Sequence, residues 1–207
     1  MTLGGFSLFL AAAAVIAITP GPGIFYVGAR ALAGGRREGL ASSFGTGLGG
    51  LVHVVAGAVG LSALVLASAD AFAVLKYAGA LYLIWLGAKA LHAGRAEAPA
   101  EVVATGARQA FREGVLVEAT NPKTAVFFIA FIPQFIDPAG PVAAQFVLLG
   151  LISVALNTGA DVVVTFLAER VRVALAGNPR LIGRLRQGSG AVMVALGASL
   201  LMARRPV

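Results

Sequence analysis

FSLFLAAAAVIAITPGPGIFYVGAR (residues 6–30) carries a single charge, at its last residue, and a helix-breaking cluster in its middle. Crossing a bilayer takes about 20 apolar residues, so the run is long enough to span one. Its break at Thr19-Pro20-Gly21-Pro22 frees backbone N–H and C=O groups that lipid cannot satisfy, so the broken part must lie against protein or a polar cavity. Threonine is a good N-cap and proline favours the first helical position. Thr19-Pro20 therefore reads as a fresh helix start in mid-span, and Gly21 and Gly23 leave the backbone there open to a close neighbour.

A second stretch repeats the pattern. GVLVEATNPKTAVFFIAFIPQF (114–135) is apolar and interrupted at Asn121-Pro122, again a cap residue followed by proline. Aligning the halves sets Thr19-Pro20 beside Asn121-Pro122 and Ile24-Phe25-Tyr26 beside Val126-Phe127-Phe128. At a slightly longer offset Leu86-Gly87-Ala88 matches Leu196-Gly197-Ala198.

The rest of the chain agrees with lipid as its solvent. Of 207 residues 58% are hydrophobic and 12% charged, with mean hydropathy +0.89. A soluble domain carries roughly 25% charged residues, so too few are present to coat a water-facing surface. Further apolar runs fall at about 42–67, 72–91, 142–168 and 188–203. The expected fold is an all-α membrane protein of about six transmembrane helices. Helices 1 and 4 are broken, and the pseudo-repeats at about 1–91 and 111–207 have three spans each and so insert in opposite senses. The whole chain is then a single transmembrane domain with a polar linker at about 92–110.

The net charge of +7 and pI near 10.8 do not indicate a nucleic-acid partner, because the charges sit between apolar runs and not on one soluble face. Most Lys and Arg residues fall between spans one and two (Arg30, Arg36, Arg37), three and four (Lys89, Arg95, Arg108, Arg112), and five and six (from Arg170 to Arg186). The positive-inside rule places these connections and the linker in the cytoplasm and both termini outside. Arg204 and Arg205 run against that placement. No basic residue precedes the first apolar run, which suits an uncleaved span. There is no cysteine, which removes disulfides, thiol redox work and thiolate metal sites.

Ionisable residues inside apolar runs mark candidate chemistry. Two positively polarised helix beginnings meeting in mid-membrane would seat a carboxylate, which nominates Thr19, Pro20, Gly21, Pro22, Gly23, Asn121 and Pro122. Lys123 follows Pro122, with Glu118 a turn earlier; Lys123 could anchor a substrate carboxylate, pair with Glu118 or reach for the interface. Ser153, Asn157, Asp161 and Thr165 recur every fourth residue and share one helix face, as a polar substrate path or a hydrogen-bonding seam. Asp161 is a candidate for binding an amine or carrying a proton, with Glu118 and His53 as further proton-coupling candidates. Thr46, Gly49, Gly50, Gly57 and Gly60 share a face with His53 and suit close helix packing.

The sequence resembles the lysine-exporter (LysE/RhtB) family of bacterial translocators. The likeness runs nearly end to end and rests on ITPGPGIFYVGARALAGGRREGL (18–40), LVHVVAGAVGLSAL (51–64), KYAGALYLIWLGAKAL (76–91) and FREGVLVEATNPKTAVFFIAFIPQFIDP (111–138). It implies a six-span carrier exporting amino acids or derivatives from the bacterial inner membrane, an antiporter driven by the proton gradient, with PGP and NPK as its central motifs. Many relatives have a polar residue after PGP where this chain has Gly23, which points to a different substrate. The resemblance implies a small-molecule substrate and protons as partners, no cofactor, no metal and possible homo-oligomers. A cation or heavy-metal exporter of related fold is the alternative, but such sites gather several His, Cys or carboxylates. A membrane-embedded enzyme is the non-transport alternative; its two histidines, His53 and His92, are far apart in sequence and no metalloprotease or paired-acid motif is present.

Overall fold

The computed structural model describes residues 3–67, 69–92, 103–176 and 179–202. The expected linker at 92–110 falls partly, and Arg204 and Arg205 wholly, outside the described residues. Within them every regular element is helical: α1 (Leu3–Ile18), α2 (Pro22–Ala67), α3 (Ala69–His92), α4 (Ala107–Ala119), α5 (Pro122–Val126), α6 (Val142–Ala176) and α7 (Pro179–Met202). Beyond α5 the chain continues as a π-turn (Phe127–Phe131) and a 3₁₀ turn (Ile132–Phe135).

The second helix is two arms. A straight helix of 46 residues would run about 69 Å, more than twice the ~30 Å hydrocarbon core. The break is at Gly35, whose φ of 68° is one that glycine adopts freely. Ala31 and Gly39 would lie about 12 Å apart along a straight helix, yet a methyl placed on Gly39 would stand 2.8 Å from the Ala31 Cβ. The chain therefore turns back at Gly35 into antiparallel arms, 22–34 and 36–67.

Glycines set how closely the helices approach. A methyl on Gly45 or Gly49 would strike the backbone oxygens of Phe111 or Val115 in α4. On the other side of the same arm, Gly47 and Gly50 meet Thr158 and Val154 of α6. A separate pair, α3 and α7, meets through Gly87, Gly190 and Gly197. An aromatic cluster fixes the segment after the second break: Phe127 stacks on Phe131 at 5.1 Å, Phe131 meets Phe135 at 5.2 Å, and Phe135 meets Phe9 at 5.5 Å. The π-turn brings Phe127 and Phe131 into this register; such turns are frequent near functional sites.

The polarity of the molecule is inverted. Ile18, Val59, Val74 and Leu116 are exposed, while Glu38, Thr46, Glu118, Lys123, Asp161 and Thr165 are buried. Water would penalise both halves of that arrangement and lipid favours it. Two segments, Pro22–Gly60 and Val142–Ala168, pass as apolar enough to cross a membrane, the first of them being the two-armed hairpin. The pair Ala107–Ala119 and Pro122–Phe135, bent by 43°, passes the same test when its two helices are taken together, as a broken span or a re-entrant loop.

Some boundaries differ from the sequence reading. Arg30, Arg36 and Arg37 lie in helix around a tight turn, not in a loop, and α6 and α7 stay helical through Arg170 and from Pro179. Arginine has high helix propensity, so these basic positions continue the helices in place of interrupting them.

Candidate functional site at the two helix breaks

At the first break the chain departs from the expected capping. The Thr19 hydroxyl donates back to the Val15 carbonyl at 2.6 Å, so Thr19 closes α1 and does not cap the helix that follows. That helix begins at Pro22, where the Phe25 amide donates to the Gly21 carbonyl at 3.0 Å. The second break uses the same device one residue before its cap: Thr120 donates to the Leu116 carbonyl at 2.7 Å. Asn121 then caps α5 as expected, its side-chain oxygen accepting from the Lys123 amide at 3.1 Å, with Pro122 at the first helical position. Threonine is thus the counterpart of threonine at the two breaks, a match one register away from the alignment of Thr19 with Asn121.

The breaks meet. A methyl on Gly21 would stand 3.3 Å from the Lys123 Cε and Nζ, and one on Gly23 would stand 3.9 Å from the Asn121 amide nitrogen. Lys123 is buried, and its ammonium donates to the carbonyls of Ile16 at 3.1 Å and Thr19 at 3.0 Å. It thereby satisfies the Thr19 carbonyl and adds a second donor to the Ile16 carbonyl, which also accepts from the Thr19 amide at 3.2 Å, at a helix C-terminus where positive charge is favoured. Glu118 is held otherwise: its carboxylate accepts from the Thr124 hydroxyl at 2.6 Å and the Asn121 amide at 2.9 Å. A methyl on Gly23 would come within 2.7 Å of the same carboxylate. Between the two breaks, where the sequence reading seats a ligand carboxylate, stands the side chain of Glu118.

Asp161 reaches this centre from α6. It lies within electrostatic range of both Lys123 and Glu118, and its Oδ2 sits 2.7 Å from the Thr46 hydroxyl. That hydroxyl is also 2.8 Å from the Ser43 carbonyl. The hydroxyl has one proton, which it can give to either acceptor or share between the two. Two residues of the polar face serve the helices: Ser153 donates to the Leu149 carbonyl at 2.9 Å, and Thr165 meets the Ser43 hydroxyl at 3.2 Å. Asn157 is half-buried on the same helix. The His53 Nε2 lies 2.9 Å from the Glu118 carbonyl, which can only accept, so the ring N–H donates to the broken end of α4.

Sequence reasoning missed a second buried ionic cluster, near the turn at Gly35. Arg30 pairs with Glu113, donates to the Tyr26 hydroxyl at 3.2 Å and the Val103 carbonyl at 3.1 Å, and lies 3.8 Å from Glu38. Tyr26 in turn donates to the Ala110 carbonyl at 2.9 Å. The cluster ties both arms of α2 to the start of α4. Glu113 lies in the polar stretch ARQAFREG, and nothing local joins it to Arg30, 83 positions away.

An apolar exterior around buried charge, gathered where two interrupted helices touch, defines an integral membrane protein with a polar interior. The chain belongs to the LysE type translocator family, whose family model matches residues 14–204. Members are transporters, not enzymes. It is 34% identical over 207 residues to a homoserine/homoserine lactone efflux protein of Salmonella typhimurium, covering 99% of each chain. It is 31% identical to a leucine efflux protein of Klebsiella pneumoniae, covering 91% of this chain and 93% of that one. It is also 33% identical to an uncharacterized membrane protein of Vibrio cholerae, with 95% and 96% covered. No solved structure matches it.

Proposed function

We propose that the chain is a secondary carrier that exports a small amino acid or close derivative across the bacterial inner membrane in exchange for protons. The observation that carries this reading is the gathering of Lys123, Glu118 and Asp161 at the junction of two broken helices inside apolar spans. Ionisable groups there are costly and mark a substrate or ion path. The architecture that fits is six spans in two inverted halves, with broken spans 1 and 4, the 92–110 linker in the cytoplasm and both termini outside.

The cargoes named for the relatives narrow the chemistry. Homoserine, homoserine lactone and leucine share a primary ammonium beside a carbonyl carbon, and the lactone has no free carboxylate. Lys123 uses two of three N–H donors on carbonyls and keeps one for a substrate oxygen. Thr19, Pro20, Gly21, Pro22, Gly23, Asn121 and Pro122 line the junction, with Asn157 along the path on α6. Asp161 is the proton carrier, since its bond to Thr46 is compatible with a proton taken up and released. His53 orients the end of α4 and stands second for the proton. One proton moving through 100 mV releases about 2.3 kcal/mol, enough for a substrate gradient of roughly 50-fold.

The test is transport by purified protein in liposomes carrying an imposed pH gradient, across a panel of amino acids. Accumulation of at least one amino acid, with collapse of the pH gradient, is expected. Asp161→Asn is expected to keep exchange of labelled for unlabelled substrate and to lose gradient-driven accumulation. A wild-type protein that moves no amino acid, or an Asp161→Asn variant still driven by pH, overturns the corresponding half of the proposal.

A further inference from the structure

We infer that Glu118 is the group that recognises the ammonium of the substrate, and that the missing side chain at Gly23 is what allows it to stand there. The inference rests on the carrier reading above and assigns a role within it.

Three carboxylates are buried among the described residues: Glu38, Glu118 and Asp161. Glu38 faces Arg30 and takes the Gly106 amide. Asp161 meets the Thr46 hydroxyl at 2.7 Å, a contact a proton-carrying group can keep in either state. Glu118, at 7% exposure, has only neutral donors: one hydroxyl on Oε1 and one amide on Oε2. Each oxygen therefore keeps an accepting lone pair. The nearest cation of the junction, Lys123, spends two donors on carbonyls of α1. A buried carboxylate without a bound cation is unfavourable, and a ligand ammonium supplies the missing charge through charge-assisted hydrogen bonds.

Position 23 decides whether this geometry exists. A methyl there would lie 2.7 Å from Glu118 Oε2, inside contact distance, so the carboxylate rests against bare backbone. A side chain at 23 would displace the end of the Glu118 side chain from this position. The bond from Asn121 to Glu118 ties this carboxylate to the second break, so displacing it alters both breaks together.

The experiment compares an amino acid with the 2-hydroxy acid of the same side chain in counterflow by reconstituted protein, reading the ratio of their KM values. Wild type is expected to prefer the amino acid. Glu118→Gln, which keeps volume but removes charge, is expected to reduce that preference on the order of 10-fold. Gly23→Ala keeps the carboxylate but pushes it aside and is expected to act in the same direction, which decides the matter if Glu118→Gln does not fold. An unchanged ratio in the folded variants, or an equal loss for both compounds, overturns the assignment. A wild-type protein that moves neither compound nor any other amino acid counts against the carrier reading itself.

Discussion

Lys123 and Thr19 show how a residue's part is set by what it reaches. The sequence places Lys123 one position past a proline in an apolar span, which leaves anchor, ion pair and interfacial reach all open. Folded, its Nζ closes the end of α1 by binding the carbonyls of Ile16 and Thr19. Lys123→Met would leave the Thr19 carbonyl buried and unmet, at about 1–3 kcal/mol, while the Ile16 carbonyl would keep only the Thr19 amide at 3.2 Å. A lower thermal midpoint in detergent is expected, together with at least a ~10-fold lower initial transport rate; a variant as stable as wild type would show that the cap contributes nothing. Asn121 was legible from its place before proline, and it does cap α5. Thr19 was read as a cap by the same rule and instead bonds backward to Val15, because the second proline, Pro22, offers a later helix start. Local rules name candidate caps, and competition between adjacent ones is settled by the packing.

At the scale of elements, the broken spans and most helix cores were legible, since long apolar runs and Asn-Pro or Pro-Gly-Pro interruptions are strong local signals. What could not be read was which glycine faces which helix. Gly45 abuts the Phe111 backbone, whereas Gly60 has nothing within 4 Å of where a methyl would stand. Gly45→Ala is expected to destabilise by about 1–3 kcal/mol through overpacking. Gly60→Ala is expected to stabilise by about 0.5–1 kcal/mol, as glycine in a helix interior normally yields to alanine. Thermal unfolding of the two variants in one detergent checks both signs. Equal shifts would mean that α2 and α4 are farther apart than described. A reversal between the first two apolar runs was expected as a loop holding Arg36 and Arg37; its tight form at Gly35, with helix on both sides, was not.

For the whole molecule, the absence of cysteine makes sidedness directly measurable. Val103 lies just before α4 and Ala139 just after the segment that ends at Phe135. If this bent pair is one span, single cysteines at 103 and 139 are expected to react with an impermeant thiol reagent from opposite sides of the membrane. Labelling of both from one side would make the segment re-entrant and remove one of the six proposed spans. Composition and the period of apolar runs were enough to establish a helical membrane protein with two helix breaks in apolar sequence and buried charge, because the hydrophobic effect and the backbone's need for partners act locally along the chain. Only the tertiary structure decided that Glu118 stands over Gly23, that Thr46 answers Asp161, and that Arg30 joins Glu113. Those contacts join residues 95, 115 and 83 positions apart, so no local signal specifies them, and they exist only where helix packing brings two faces to hydrogen-bond distance.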